Sequence, residues 1–139
     1  MIASFVADAS IAISWAVESQ SSADAARILE HMVEGTTMLV PPIWLYETAN
    51  TLLILHRRGK TSKAEYRAGR ELLEGLRILT DDESLQAVNM QVTDLAVATG
   101  LTVYDAAYLE LAIRRQLPLA SRDADLNRAA KRHCLHLLL

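Results

Sequence analysis

The chain predicts an α/β fold with a central, mainly parallel sheet of four to five short strands, and three observations carry the prediction. Short apolar runs of strand length alternate with longer amphipathic runs of helical period along the whole sequence. Glycines and prolines stand mostly at the junctions between runs. The 139 residues match the usual size of one domain, and with 51% apolar and 22% charged residues they suffice to fill one core. Parallel strands joined by helices need right-handed crossovers and a sheet covered on both faces, so one domain spanning 1–139 is expected.

Residues 3–8 are an apolar run closed by Asp8, the first strand, and Ser10 is a natural N-cap for a helix over 11–17. Ser21 or Ser22 starts a second helix, in which Ala25, Ile28, Leu29, Met32 and Val33 recur at helical spacing until Gly35 ends it. Residues 36–40 form a second strand. Pro41 and Pro42 stop it, and Pro42 can open the helix over 43–58, since the first helical position needs no N–H. Gly59 ends that helix, Thr61 or Ser62 caps another running to about Glu74, Gly75 breaks it, and 77–80 is a third strand. Residues 83–100 read as one continuous helix with Leu85, Val88, Val92, Leu95 and Ala96 on a single face. A helix over 101–115, a brief strand at 118–121, a short helix at 123–132 and a last strand at 133–139 complete the order.

Composition excludes several classes. No apolar run approaches the ~18 to 20 residues that cross a bilayer, and no basic residue precedes the first apolar stretch, so neither membrane insertion nor export is expected. The single cysteine, Cys134, can form no internal disulfide and no thiolate zinc cluster; a buried apolar role and a reducing cytoplasmic setting fit it best. The net charge of −3 conceals two basic segments, one with Arg57, Arg58, Lys60, Lys63, Arg67 and Arg70, the other with Arg114, Arg115, Arg122, Arg128, Lys131 and Arg132. On charge alone they are either solvated helix faces or a surface for a polyanion.

In open α/β sheets, ligands gather outside the carboxyl ends of the strands. Four acids map to that rim: Asp8, Glu47, Asp105 and Asp123. An aspartate at a helix start is commonly a cap, which is a sufficient account of Asp8, Asp105 or Asp123 taken singly. Glu47 resists it, lying past the first turn among Trp44, Leu45, Tyr46, Leu52 and Leu53, where a buried carboxylate needs a partner. Clustered carboxylates repel one another unless a cation joins them. Hard oxygen ligands without cysteine or paired histidine point to Mg²⁺ or Mn²⁺, hence to phosphodiester hydrolysis.

These residues sit in four segments, VADAS at Asp8, YETANTL at Glu47 and Asn50, TVYDAAYLELA at Asp105 and LASRDADL at Asp123. In that order and over the whole chain they resemble the PIN-domain ribonucleases, in particular the VapC-type toxins of bacterial toxin–antitoxin pairs. The resemblance implies a three-layer α/β/α PIN fold and a Mg²⁺- or Mn²⁺-dependent endoribonuclease in which the four acids bind one or two ions. Asp8 and Asp105 would hold the principal ion, and Glu47 and Asp123 orient its waters or help to hold a second. Ser10, Ser121 and Asn50, one helical turn from Glu47, are candidate donors to the carboxylates. Arg57, Arg58, Lys60 and Arg122 are the first candidates to hold an RNA backbone, with a single-stranded loop as the target. The resemblance also implies a cognate antitoxin and a homodimer, with the helix around Trp44–Leu55 and residues 20–34 as candidate surfaces.

Other conspicuous residues favour structural roles. Trp15 and Trp44 read as packing residues, His133 and His136 fall on opposite faces of the expected last strand, and His31 and His56 lack a matching partner. Asp81, Asp82 and Glu83 read as the acidic opening turn of a helix, and Asp125 as an exposed first-turn residue. Among rival functions, a phospho-acceptor receiver domain needs an adjacent acid pair after the first strand, whereas Asp8 stands between Ala7 and Ala9. A haloacid-dehalogenase-type phosphatase needs a second aspartate where Ser10 stands, and no glycine-rich phosphate loop is present. A catalytically silent PIN module that only binds RNA or protein is the remaining alternative.

Overall fold

The computed structural model describes residues 2–139. The chain runs β1 (Ser4–Ala7), α1 (Ala9–Ala16), α2 (Ala23–Val33), β2 (Thr37–Val40), α3 (Ile43–Arg57), α4 (Lys63–Gly75), β3 (Ile78–Thr80), α5 (Ser84–Ala87), α6 (Thr93–Thr99), α7 (Val103–Arg115), β4 (Leu119–Ala120) and α8 (Ala124–Arg132). The strands form one parallel sheet in the order β3-β2-β1-β4, with Phe5 opposite Met38, Leu39 opposite Leu79, and Ala7 opposite Ala120. The first two crossovers step toward β3 and the third returns to β4, so right-handedness puts α1–α4 on one face and α5–α7 on the other. Phe5, Val6, Met38, Val40 and Leu119, all fully buried, make the sheet's contribution to the core, and Ile11, Leu109, Leu111 and Leu126 cover it from the helices.

The expected α/β alternation is present, with two differences. The helix expected over 83–100 is broken: α5 and α6 are joined by a π turn at Val88–Val92, where the Thr93 hydroxyl donates to the Val88 carbonyl at 2.6 Å. The extra residue in that turn rotates α5 relative to α6, so Leu85 is 69% exposed while Ala87, Val92 and Ala96 are buried. The expected last strand reduces to a single bridge between Leu119 and Leu137. After α8 the chain reverses at Cys134, whose φ of 59° is left-handed, and only Leu137 comes alongside the two-residue β4. Cys134 is therefore an exposed turn residue and not the buried apolar group expected.

One glycine is required by packing. A Cβ at Gly69 of α4 would stand 2.8 Å from the Ala16 carbonyl oxygen, so the crossing of α4 over α1 depends on its absence. On the other side, Asp81 is 1% exposed and does not belong to a solvated helix start. Its carboxylate accepts from Arg114 at 2.7 Å, Arg115 at 3.0 Å and the Ser84 hydroxyl at 2.7 Å, while Arg114 also bonds Glu110 at 2.7 Å and Glu83 at 3.1 Å. This network pins the turn after β3 to α7 and occupies two arginines of the second basic segment. Burial works against the Asp81 carboxylate, but the bonds from Arg114, Ser84 and Arg115 prevail and lower its pKa to about 2 from an ordinary 3.8.

Gly69→Ala is expected to destabilise the protein by about 1 to 2 kcal/mol, since overpacking outweighs the gain in helix propensity; thermal melting checks it, and an unchanged midpoint contradicts the close crossing. Because the Asp81 pKa is lower folded than unfolded, its stabilising contribution is complete above pH 3.8 and disappears as the pH falls toward 2. A loss on the order of 2 kcal/mol is expected across that window, absent from Asp81→Asn, in denaturant titrations.

Candidate active site

The carboxyl ends of β1, β2 and β4 and the amino ends of α1, α3, α7 and α8 meet at one rim, because each helix that follows a strand begins there and α7 runs back toward the start of β4. The sheet order reverses between β1 and β4, so that rim holds the crevice where α/β folds bind ligands. Positive helix ends converge on it and partly compensate negative charge.

Asp8 follows directly on β1, and its N–H donates to the Ala120 carbonyl at the end of β4. Its carboxylate, rather than Ser10, caps α1: one oxygen accepts from the Ser10 N–H at 3.1 Å and the Ser10 hydroxyl at 2.5 Å. The other accepts from the Ser121 hydroxyl at 2.5 Å. Each serine is held in turn, since Ser10 accepts from the Arg122 N–H at 3.1 Å and Ser121 from the Asp123 N–H at 2.9 Å. Three hydroxyl and amide donors favour the charged form of Asp8, yet burial outweighs them and, with the charge of Asp123, raises its pKa. Asp123 caps α8 by accepting from the Leu126 N–H at 2.9 Å.

Asp105 lies in the first turn of α7 but is not its cap; Thr102 fills that place, accepting from the Asp105 N–H at 3.1 Å. Burial and the charges of Asp123 and Asp8 raise the Asp105 pKa against a hydrogen bond from Thr102. Glu47 lies in the second turn of α3, half-buried, and accepts from the Tyr108 hydroxyl at 2.5 Å. Burial raises the Glu47 pKa in spite of that bond, and Asp105 and Asp8 add to the effect. The structure thus puts each of the four acids within electrostatic reach of at least two others. Among the described residues, no three His, Cys, Asp or Glu side chains are grouped so that they would hold a metal ion as they stand.

The supporting residues divide. Ser10 and Ser121 donate to Asp8 as expected, whereas Asn50 is exposed and Glu47 takes its bond from Tyr108 instead. Tyr108 was not anticipated, although its i+3 spacing from Asp105 on α7 places it on the same face. It is 1% exposed, and burial together with Glu47 raises its pKa, so the phenol is a permanent donor. Arg57, Arg58 and Lys60 are exposed but sit at the far end of α3, about 15 Å along its axis from Glu47. Arg122 is close to Asp8; its guanidinium donates to the Ser14 hydroxyl at 2.9 Å and the Gln20 carbonyl at 2.8 Å. A cleft of about 290 Å³ beside Asp105 is lined by Asp125, Arg128 and Arg132, two arginines that sequence reasoning grouped but did not single out. Trp15 packs as expected, donating to the Ala25 carbonyl at 2.7 Å, and His56 has a structural role, stacking on Tyr66 at 4.6 Å between ring centres.

The PIN domain family model matches residues 5–132 of the sequence. The chain belongs to the PIN domain family. None of the curated proteins matches it. Among solved structures, the PIN fold recurs in PAE2754 from Pyrobaculum aerophilum, 26% identical over 94% of this chain and 89% of that one, with a TM-score of 0.68. FitAcB from Neisseria gonorrhoeae is similar at 19% identity over 96% and 95% of the two chains, TM-score 0.63. VapBC2 from Rickettsia felis, solved with a DNA fragment from its promoter, is similar at 14% identity over 96% of each chain, also with a TM-score of 0.63.

The raised pKa values carry a sign. A carboxyl whose folded pKa exceeds its unfolded one weakens the fold above the folded value and not below the unfolded one. Asp105→Asn, which removes one repelling charge and leaves the Asp8 hydrogen bonds intact, is expected to raise the melting midpoint at pH 7. The gain should shrink as the pH falls and vanish below the ordinary value of 3.8, and an Asp105→Asn midpoint at or below wild type at pH 7 contradicts the repulsion.

Proposed function

We propose that this PIN domain is a metal-dependent endoribonuclease, the toxin of a toxin–antitoxin pair. The observation that carries the reading is the coupling of Asp8, Glu47, Asp105 and Asp123. In three of them burial and the neighbouring acids raise the pKa, an arrangement that costs stability. An all-oxygen donor set of this charge suits a hard divalent cation better than any other counter-charge. Asp8 and Asp105, with Glu47 and Asp123, are the residues that would hold Mg²⁺ or Mn²⁺. Such an ion, when bound, supplies a water of lowered pKa and neutralises charge on a phosphate.

The chain's own groups do the rest. Ser10 and Ser121 fix both oxygens of Asp8, and Tyr108 fixes Glu47 while remaining protonated, so the carboxylates are oriented before substrate arrives. Arg122 beside Asp8 and Arg132 in the cleft beside Asp105 would take phosphates on either side of the acids, joined by Arg128 where it leaves its pair with Asp125. Arg57, Arg58 and Lys60 would meet RNA only where it runs on along α3. The likeness to FitAcB and VapBC2 and to VapC-type toxins supports a cognate antitoxin as partner, and exposed Tyr46 on α3 suits a homodimer.

Purified protein and Asp8→Asn are to be incubated with total RNA in Mg²⁺, in Mn²⁺ and in chelator. Cleavage by wild type that falls at least about 100-fold in Asp8→Asn and stops in chelator is the expected result. Equal cleavage by both proteins, or cleavage indifferent to chelator, overturns the reading; RNA binding without cleavage in any metal marks the silent module instead.

A further inference from the structure

Away from the acids, a cavity of about 430 Å³ lies between α3, α4 and β3. Its walls include Leu45, Ala49, Leu52, Leu73 and Ile78, an apolar surface that a few polar groups interrupt. Two of these groups stand out. Trp44 is 5% exposed and Thr48 4% exposed, both line the cavity, and neither the Trp44 indole N–H nor the Thr48 hydroxyl has a hydrogen-bond partner among the described residues. Both atoms are closed off from solvent, so they lie behind the cavity wall and sense its filling without touching what fills it.

The same cavity lies beneath an open sheet edge. Within the sheet, β3 pairs with β2 alone. The Arg77 carbonyl accepts from the Met38 N–H and the Asp81 N–H donates to the Val40 carbonyl, so by the alternation of a parallel ladder the Thr80 N–H and the Ile78 and Thr80 carbonyls point outward, while the Ile78 N–H is taken by the Leu76 carbonyl at 2.9 Å. Their side chains are the ones that line the cavity. A strand laid beside β3 would therefore continue the ladder and send every second side chain into the apolar space. Arg70 stands at the cavity rim, and Arg77, exposed at the entry to β3, faces the opposite side of the sheet from Ile78.

We propose that β3 and this cavity bind an extended segment of another protein by strand addition, with aliphatic side chains alternating with carboxylates. The aliphatic groups fill the space over Leu52 and Leu73, the main chain pairs with the Thr80 N–H and the Ile78 carbonyl, and the acids on the other face meet Arg77. The open edge selects a peptide over a small apolar molecule, because main-chain pairing gives affinity and the cavity gives side-chain preference. The site is separate from the carboxylates and stands or falls independently of nuclease activity.

The probe is an acetylated, amidated hexapeptide of alternating leucine and glutamate, titrated into ¹⁵N-labelled protein. The Trp44 indole signal, distinguished with Trp15→Phe, is expected to shift as side chains enter the cavity beside it, and the Thr80 amide to exchange at least tenfold more slowly. Thr80→Pro removes the outward N–H at an edge where proline is tolerated, and Ala49→Trp plugs the cavity from its exposed side. Each should weaken binding at least fivefold while melting and RNA cleavage stay at the wild-type level. A peptide with its three leucines and three glutamates in separate blocks should bind at least fivefold more weakly. No shift of the Trp44 indole, or binding undiminished in both variants, overturns the proposal. So does a Trp44 signal that moves with protein concentration alone while sedimentation shows a dimer, which would give the groove to a second copy.

Discussion

Negative charge must be gathered at the carboxyl end of this sheet and kept there against its own repulsion. The chain meets that constraint with neutral donors rather than with cations. Asp8, the most buried of the four acids, holds Ser10 and Ser121 at 2.5 Å, and those two serines are in turn tied to the backbone of the loop carrying Asp123. Glu47 leans on a buried phenol. None of these donors carries a charge, so they orient the carboxylates without cancelling them. The field at the rim therefore remains open to an external counter-ion.

Asp81 shows what the same residue type does when the fold intends to silence it. It is as buried as Asp8, but two guanidinium groups close on it and its pKa moves the other way. One aspartate is a fastener between the turn after β3 and α7. The other is left energetically unsatisfied at the place where strand order reverses. The contrast lies in the surroundings and could not be inferred from either residue alone.

Most elements were legible in the sequence because punctuation and period agree. Pro42 at the start of α3, Ser62 at the start of α4 and the left-handed Gly100 ahead of α7 act where their chemistry requires. Asp8, Asp105 and Asp123 were legible through their positions at element junctions, Glu47 through a carboxylate set among apolar neighbours, and Ser10 and Ser121 through proximity. Tyr108, the Asp81 network and the distance of Arg57, Arg58 and Lys60 from the rim were not, since each depends on which helix ends share a side of the sheet. The Arg114 and Arg115 charges looked available for a polyanion for the same reason: their partner Asp81 is more than thirty positions away. Cys134 and the last seven residues were misjudged because an apolar composition does not reveal that the chain must first turn.

The π turn at Val88–Val92 bears on how this fold tolerates change of length. Such a turn is a helix with one residue too many, the surplus accommodated as a local bulge so that the segments before and after it keep their own seats. Here Val92 at the end of the turn and Ala96 of α6 stay against Ala106 and Ala107 while Leu85 is displaced to the surface. Relatives one residue shorter in this stretch would regain a smooth helix and draw position 85 back inside, without moving the amino end of α7 from which Asp105 projects. The bulge thus works as an expansion joint, separating drift in the outer helices from the geometry of the rim.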